Sequence, residues 1–320
     1  MKAIRVLGFG GPEVMTVQEV PNLEPGPGQV LVEIHAAGVN PVDTYIRAGW
    51  YPIKPELPYT PGSDAAGIVR AVGPDVTEVE VGQRVYTAGT LTGAYAQQAL
   101  CDVSQVNPLP KRYSFEQGAA IYIVYATAYR ALFHRAAARP DETLLIHGAS
   151  GGVGIAAIQW ARTTGMRIIA TSGTEKGRRL IAEQGAHHVL DHRDPDHFEQ
   201  AMALTNRKGI HVILEMLANV NLAHDLPILA TGGRVVVIGS RGTVEIDPRL
   251  TMGKDTSIIG MNLNNTLPQD KAAIRAALNA GLAQEMLDPV IGRQYRLDEA
   301  PEAHRQIIEG TAYGKIILVP

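Results

Sequence analysis

The chain has 320 residues, of which 45% are hydrophobic and 19% are charged, so it is long enough for two globular domains and is not disordered. Its formal net charge of −3 gives no overall positive field for nucleic acid or an anionic membrane. A single cysteine, Cys101, excludes an internal disulfide framework and a cysteine-rich zinc site, and it suits a reducing compartment.

The N-terminal third is rich in glycine and proline and predicts a compact, mostly β domain. Short β-type runs cover residues 30–36, 67–72 and 83–86, with the turn signals "PGPG" and "TPGSD" between them. The first residues predict a strand and a turn, and they lack the long apolar core of a signal peptide. No apolar run is long enough to cross a bilayer, so we expect a cytoplasmic protein.

After about residue 115, helix-length segments alternate with apolar runs, which is typical of a doubly wound parallel sheet. The six runs, each expected to be a strand, are residues 143–147, 167–171, 187–190, 211–214, 234–238 and 257–260. The tail predicts helices at 269–280 and near 299–309 and a closing strand at 315–319. If that strand returns to the first domain, the α/β fold is an insertion in the chain.

The segment "HGASGGVG" (147–154) closes the first of these runs and opens a helix, which is the context that a dinucleotide fingerprint requires. Residues without side chains let backbone N–H groups and a helix N-terminus approach a pyrophosphate. The spacing departs from G-x-G-x-x-G because an extra residue separates Gly148 from Gly151. A tight turn that binds nothing is the alternative, and the five strand-like runs that follow favour binding.

The end of the second run is where an NAD enzyme carries an acid for the ribose 2′-hydroxyl, about 20 residues after the glycines. Here residues 171–173 contain no acid, and Lys176, Arg178 and Arg179 follow, which favours NADP over NAD. Glu175 is a complication, because it could reach the ribose from the next turn. For the three basic residues, the alternative is a solvated first turn of a helix.

Five segments carry a resemblance to a known family. They are "AAGVNPVDTYIRAGWY", "LPYTPGSDAAGIV", "HGASGGVG", "EMLANVNLAHDL" and "GGRVVVIGSRGTVEIDPR", and the likeness extends to the closing "YGKIILV". Together they resemble the zeta-crystallin-like NADPH:quinone oxidoreductases, a zinc-free branch of the medium-chain dehydrogenase/reductase superfamily. The resemblance implies an α/β protein with a GroES-like, mostly β catalytic domain (1–118 and 258–320), a Rossmann NADP-binding domain (119–257) and a cofactor in the cleft.

Zinc-dependent relatives place a cysteine in the loop matching "GVNPVD" and a histidine in the loop matching "PGSD". This chain has Asn40 and Ser63 at those positions. Zinc needs thiolate or imidazole ligands in a near-tetrahedral array, and neither loop supplies them. We therefore expect no metal ion.

A quinone accepts a hydride readily and gives an acidic hydroquinone, so its reduction needs neither a Lewis acid nor a strong proton relay. The resemblance implies a sparse site of Asn40, Tyr45 and Tyr51. In it, Tyr45 lies at the nicotinamide end and the other two residues orient the acceptor oxygen. Ordinary packing with a satisfied hydroxyl is the alternative for these tyrosines. Tyr122 and Tyr125 are expected to pack within a helix, with a place in the aromatic wall of the cleft as the alternative.

The resemblance also implies the contacts with NADPH, which would lie mostly at strand ends. They are Ser150, Gly151, Gly152 and Val153 at the pyrophosphate; Gly173, Lys176 and His192 at the adenosine end; and Asn221, Ile238, Gly239, Ser240, Arg241, Met261, Asn262 and Leu263, with Tyr45, at the nicotinamide half. Lys315 matches a basic residue that some relatives direct at the 2′-phosphate, with a surface position as the alternative. Some relatives have tyrosine at His192, which favours stacking over a charged role.

These inferences predict NADPH-dependent reduction of a quinone without a metal. Reduction of an activated C=C bond in an enone or alkenal is the alternative, since it uses the same cofactor and a similarly bare site. Trp50 and "MNLNN" (261–265) depart from the relatives around the acceptor. A third alternative is a crystallin-type structural or RNA-binding role. The net negative charge argues against general affinity for RNA. The only basic stretch to test is "YRALFHRAAARP" (129–140), and a solvated helix face is the alternative for it. The family implies a homodimer or homotetramer, with "GTVEI" (242–246) as a hypothetical part of the joining edge.

Overall fold

The structure, a computed structural model, describes residues Met1–Pro320. Its strands are β1 (Lys2–Val6), β2 (Met15–Glu19), β3 (Gln29–Val39), β4 (Asp64–Val72), β5 (Arg84–Thr87), β6 (Gln98–Asp102), β7 (Val106–Pro108), β8 (Thr143–Ile146), β9 (Arg167–Thr171), β10 (His188–Leu190), β11 (Ile210–Glu215), β12 (Leu229–Val237), β13 (Ser257–Gly260), β14 (Ile291–Arg296) and β15 (Lys315–Val319). Its α-helices are α1 (Pro41–Arg47), α2 (Phe115–Gly118), α3 (Tyr122–Tyr129), α4 (Gly152–Thr163), α5 (Glu175–Glu183), α6 (His197–Leu204), α7 (Ala218–Ile228), α8 (Arg249–Met252), α9 (Pro268–Ala283) and α10 (Ala300–Glu309).

The chain forms two compact units. Unit 1 consists of Met1–Ile123 and Pro289–Pro320, and unit 2 consists of Val124–Asp288. The sequence had placed residues 258–288 with the first domain, whereas the structure groups them with unit 2. The reason is that β13 pairs in parallel with β12, and Gly281 of α9 packs closely against Trp160 of α4.

Unit 1 is built on a mostly antiparallel sheet with the strand order β14-β15-β3-β4-β5-β7, and β6 pairs with β3. The predicted return of the closing strand is confirmed, because β15 pairs antiparallel with β3 and places Ile317 opposite Gly38. β1 and β2 form a separate two-stranded sheet. Most side chains of the long strand β3 are buried and none is exposed, unlike those of a surface strand. The reason is that the hydrophobic core of unit 1 packs on both of its faces.

Unit 2 is a six-stranded parallel sheet with the order β10-β9-β8-β11-β12-β13, which is the doubly wound order of Rossmann folds. All six strands expected from the apolar runs are present. The inner strands β8, β9 and β11 are almost entirely buried, whereas β13 at the edge is largely exposed. The carboxyl ends of the strands therefore lie along one edge of the sheet, which is where such folds bind ligands.

The segment "GTVEI" (242–246) is not a strand within the single chain, and its place at an edge that joins subunits stays a hypothesis. Val244 and Ile246 instead pack against the core of unit 2 as partly buried residues. Their alternating apolar pattern resembles that of a strand, but their role is to cover the core. The edge strand on this side of the sheet is β13.

The basic stretch 129–140 is solvated only in part. Residues Arg130–Arg135 form a π-helix, and the Arg130 side chain is buried. Arg130 Nη2 donates to Asn265 O at 3.2 Å, and Arg135 Nε donates to Gly260 O at 3.0 Å. Arg130 is thus an internal residue, whereas Arg135 and Arg139 are exposed. None of the helices is long and apolar enough to span a membrane.

Candidate cofactor-binding and active-site residues

The glycine turn between β8 and α4 needs its small residues for two separate reasons. Gly148 has a φ of +58°, which favours glycine. A Cβ on Gly154 would lie 2.4 Å from Ala149 Cα, so only glycine lets the first turn of α4 pack against the loop. The turn thus brings the start of α4 close to the end of β8.

The N-terminus of α4 has the chemistry of an anion site. Its N-cap is Gly151, and no side chain caps the first turn. The hydroxyls of Ser150 and Ser172 lie 3.0 Å apart beside it. A Cβ on Gly177 would lie 2.2 Å from the Ser172 hydroxyl, so the absence of a side chain there keeps this cradle open. Uncapped backbone N–H groups and a helix dipole fit the pyrophosphate of a dinucleotide.

The adenosine end of the site is a compact cluster at the ends of β9 and β10. Thr171 Oγ1 accepts from Gly148 N at 3.1 Å and lies 3.2 Å from His192 Nδ1, so the β9 end is tied to both loops. A Cβ on Gly173 would lie 2.6 Å from His192 Nε2 and 2.9 Å from Arg193 Nε. The structure therefore brings Gly173, His192 and Arg193 together.

Arg193 was not found in the sequence, although it follows His192 directly after the third predicted strand. The signal that could have found it is this basic residue at a strand end. Arg178 Nη1 bonds Asp191 Oδ2 at 2.6 Å. The backbone N–H of Arg193 and the Arg178 guanidinium together lower the pKa of Asp191. Arg178 is thus engaged with an acid, whereas Lys176 and Arg193 are exposed at the cluster.

Glu175 does not lie where it could reach the adenosine ribose. Its carboxylate lies 3.9 Å from Arg179 Nη2, and both side chains are exposed. This is an ordinary pair one helical turn apart on the surface of α5. No acid therefore faces the end of β9 from this turn, which favours NADP over NAD.

The predicted nicotinamide contacts lie at the carboxyl ends of β11, β12 and β13. Asn221 Nδ2 donates to Glu215 Oε1 at 3.2 Å, and Ile238 N donates to the Glu215 carbonyl at 2.9 Å. A Cβ on Gly239 would lie 2.5 Å from Met216 O, so glycine is required there. Met261 N donates to Val237 O at 3.0 Å, which joins the third segment to the same edge.

Asn219 is a second residue that the sequence did not reveal. Its Oδ1 accepts from Arg241 N at 2.8 Å and lies 3.4 Å from the Ser240 hydroxyl. The side chain therefore shapes the loop after β12 that contains two predicted contacts. A polar residue two positions before Asn221 was the only available signal.

In unit 1, Asn40, Asp64 and Lys315 form a buried polar cluster. Lys315 Nζ donates to Asp64 Oδ2 at 3.0 Å and also to Asn40 Oδ1. Asn40 Nδ2 donates to Asp64 Oδ2 at 3.0 Å, and Asp64 Oδ1 accepts from Ile123 N at 3.1 Å. The surface alternative for Lys315 is wrong, because the residue is 4% exposed. Its ammonium is held by these partners, and a 2′-phosphate is not needed to explain its charge.

This cluster also changes the role expected for Asn40. Its carbonyl oxygen accepts from Lys315, and its amide nitrogen donates to Asp64 and lies 3.5 Å from Gly38 O. The amide is therefore used within unit 1 and is not left to orient an acceptor oxygen. The donor set does not fit zinc either, since an amide, a carboxylate and an ammonium replace the thiolate and imidazole that zinc needs.

Tyr45 and Tyr51 flank the turn that ends α1. Tyr45 is half-buried on the helix, its carbonyl accepts from Trp50 N at 3.0 Å, and Gly49 in the turn has a φ of +76°. Tyr51 is half-buried directly after the exposed Trp50. The structure thus brings the two tyrosines to one end of a short helix, as the segment "DTYIRAGWY" predicts.

The other two tyrosines differ from each other. Tyr125 is buried, its hydroxyl donates to Gln159 Oε1 at 2.8 Å, and its carbonyl accepts from Trp160 Nε1. Tyr125 therefore packs within the helical layer, as expected. Burial, and then the charge of Asp64, raise the pKa of Tyr122, which places its hydroxyl in the field of the Asn40 cluster.

Comparison with known proteins supplies the family context. Residues 26–111 match the family described as alcohol dehydrogenase GroES-like domain, and residues 152–280 match the one described as zinc-binding dehydrogenase. A human quinone oxidoreductase is 50% identical over 321 residues, covering 100% of this chain and 98% of the relative.

Solved structures give the same picture. The Escherichia coli quinone oxidoreductase complexed with NADPH superposes with a TM-score of 0.90 at 30% identity, covering 100% of both chains. The CurK enoyl reductase has a TM-score of 0.90 at 26% identity, covering 99% of this chain and 98% of its own.

Proposed function

The chain belongs to the quinone oxidoreductase family of medium-chain dehydrogenases/reductases, and on that premise we propose that it reduces a quinone with NADPH and without a metal ion. NADPH, when bound, supplies a hydride equivalent, and a quinone that gains it with a proton becomes a hydroquinone. The observation that carries the cofactor assignment is the cluster at the ends of β9 and β10. There, Gly173 lies against His192 and Arg193, Lys176 follows on α5, and Glu175 pairs with Arg179 on the helix surface.

The residues of unit 2 would bind and orient the cofactor. The uncapped start of α4, with Ser150, Gly151, Gly152 and Val153, would hold the pyrophosphate. Asn221 and the segments 238–241 and 261–263 would contact the nicotinamide half. Their support comes from the shared strand-end edge and from the close approach at Gly239.

The residues of unit 1 would act on the acceptor. We assign the acceptor hydrogen bond to the hydroxyl of Tyr51 and the nicotinamide-side contact to Tyr45. Asn40 would instead hold α1 in place through Asp43, since its own amide is engaged with Asp64 and Lys315. A quinone suits such a site because its reduced form is acidic and solvent can complete its protonation.

The second candidate is reduction of an activated C=C bond, which the likeness to an enoyl reductase favours. Fluorescence titration with NADPH and NADH tests the cofactor, and we expect NADPH to bind at least tenfold more tightly. Pre-steady-state turnover of the NADPH complex with an ortho-quinone and with a 1,4-enone then separates the activities. We expect the quinone to react faster, and an enone that reacts much faster would replace the proposal with the second candidate.

We further propose a cytoplasmic homodimer or homotetramer. The support is the edge strand β13, whose outer edge has no partner strand and whose Ile258 is exposed. Exposed edge strands are where chains pair with one another. Light scattering that gives a monomer at micromolar concentration would contradict this assembly.

A further inference from the structure

Three ionisable side chains meet inside unit 2, at the carboxyl ends of β8 and β11. His147 directly follows β8, Glu215 ends β11, and Asp225 lies on α7. His147 Nε2 is 2.8 Å from Asp225 Oδ1 and 3.7 Å from Glu215 Oε2. The side chains of both acids are fully buried, so water does not solvate their carboxylates.

The arrangement requires a shared proton. Glu215 Oε2 and Asp225 Oδ2 are buried with no hydrogen-bond donor, and the three groups lie within 4.8 Å of one another. Two buried carboxylates beside one imidazole cannot all ionise without a large desolvation cost. Burial raises the pKa of Glu215 to about 7 and that of Asp225 to about 7, and it lowers the pKa of His147. One carboxyl group therefore holds a proton near neutral pH.

Glu215 connects this cluster to the candidate cofactor site. Its second oxygen, Oε1, accepts from Leu217 N at 2.5 Å and from Asn221 Nδ2 at 3.2 Å. Its carbonyl accepts from Ile238 N. Glu215 thus belongs to the buried ionisable cluster and also contacts two segments assigned to the nicotinamide half.

We propose that Glu215 is a positioning residue that holds Asn221 for the cofactor and that NADPH binding expels the proton shared with Asp225 and His147. A carboxylate accepts a hydrogen bond more strongly than a protonated acid does. Cofactor contacts that fix Asn221 in its donating orientation therefore favour ionised Glu215. By linkage, a proton leaves on binding and affinity rises with pH around neutrality. The inference rests on the proposed function through the role of Asn221.

Other ionisable groups pack around the cluster, and each has its own contacts. On α6, the ring centre of His197 is 6.4 Å from that of His147, and its Nδ1 lies 2.7 Å from Asp194 O. On α7, His224 packs against Phe198 and is exposed. After β10, His192 bonds Thr171. None of these three histidines is a direct hydrogen-bond partner of Glu215.

Calorimetry of NADPH binding at pH 7, in two buffers of different ionisation enthalpy, counts the protons released. We expect the unaltered protein to release about half a proton. Glu215→Gln keeps an oxygen for Asn221 but mimics the protonated acid, so it should release no proton and should bind NADPH about tenfold more weakly than the unaltered protein at pH 7. Glu215→Ala removes the acceptor and should bind at least about tenfold more weakly.

Two controls isolate the effect. Glu142→Gln breaks an ion pair with Arg234 at the other end of β8, and it should lower stability without changing proton release. NADH in the same buffers removes the titration of the 2′-phosphate. Asp225→Asn tests the cluster from a second position and should also abolish release. Release that persists in Glu215→Gln and Asp225→Asn, or no release with the unaltered protein, would overturn the inference. Proton release without quinone turnover would instead contradict only the proposed function.

Discussion

At the scale of single residues, Gly173 carries the adenosine end of the site, because any side chain there would collide with His192 and Arg193. Gly173→Ala should raise the Kd for NADPH about tenfold, or about 1.4 kcal/mol, since the two side chains must shift. Fluorescence titration measures this. Gly253→Ala is the matched control, because no atom lies within 4 Å of its added methyl, and it should leave the Kd unchanged.

Arg193 should decide the choice between the two nicotinamide cofactors. A guanidinium that bonds a 2′-phosphate makes a charge-assisted contact that NADH does not offer. Arg193→Gln should therefore weaken NADPH about tenfold and leave NADH unchanged. Arg207→Gln, which changes an exposed arginine paired with Glu199, serves as the control. Equal weakening of both cofactors would show that Arg193 does not contact the phosphate.

Residues were predictable from the sequence where their role depends on local chain geometry. The glycines of the β8–α4 turn are of this kind, since the strand, the turn and the helix are consecutive. The role of Asn40 was not predictable, because its carbonyl oxygen accepts from Lys315, which lies at the other end of the chain. The cluster of His147, Glu215 and Asp225 was missed for the same reason, as its members come from three separate elements.

At the scale of elements, α1 begins with a reciprocal cap in which Asn40 N donates to Asp43 Oδ2 at 2.9 Å. Burial raises the pKa of Asp43 to about 6, although Asn40 N and the Tyr95 hydroxyl donate to it. The folded protein thus holds this proton to higher pH than the unfolded chain does. The resulting stability is fully present below about pH 4 and is lost as the pH rises through 6.

Asp43→Asn removes this titration while keeping an oxygen for the cap. Relative to the unaltered protein, its free energy of unfolding should rise between pH 4 and pH 7, by about 3 kcal/mol at most. Denaturant titrations at several pH values measure the difference. Glu302→Gln, on the surface of α10, should show a difference that does not vary in this way. Parallel curves for Asp43→Asn and the unaltered protein would contradict the expectation.

Elements were predicted well where burial on both faces gives a continuous apolar run, as in the inner strands β8, β9 and β11 of unit 2. The segment 242–246 shows the limit of such patterns. Val244 and Ile246 alternate with polar residues as an edge strand does, but they cover the core without joining a ladder. Periodicity records which residues are buried, and it does not record whether their backbone is paired.

At the scale of the whole molecule, the proposed assembly depends on β13. A charge on an exposed edge strand opposes pairing with a second chain. Ile258→Lys should therefore shift the protein from dimers or tetramers towards monomers in light scattering. Val17→Lys introduces the same charge at an exposed position of β2 and should leave the mass unchanged. A monomeric unaltered protein, or an unchanged Ile258→Lys assembly, would remove β13 from the interface.

The pairing of β15 with β3 also has a consequence for how the protein is made. Unit 2 is continuous in the chain, so all of its contacts can form as soon as its last helix has been synthesised. Unit 1 starts earlier, but the strand that covers one side of β3 and the ammonium that neutralises Asp64 are translated last. Until then, the first third of the chain lacks the strand that pairs with the end of β3 and the ammonium beside Asp64. Contacts between residues so far apart in sequence slow folding, so we expect unit 1 to complete its fold after unit 2.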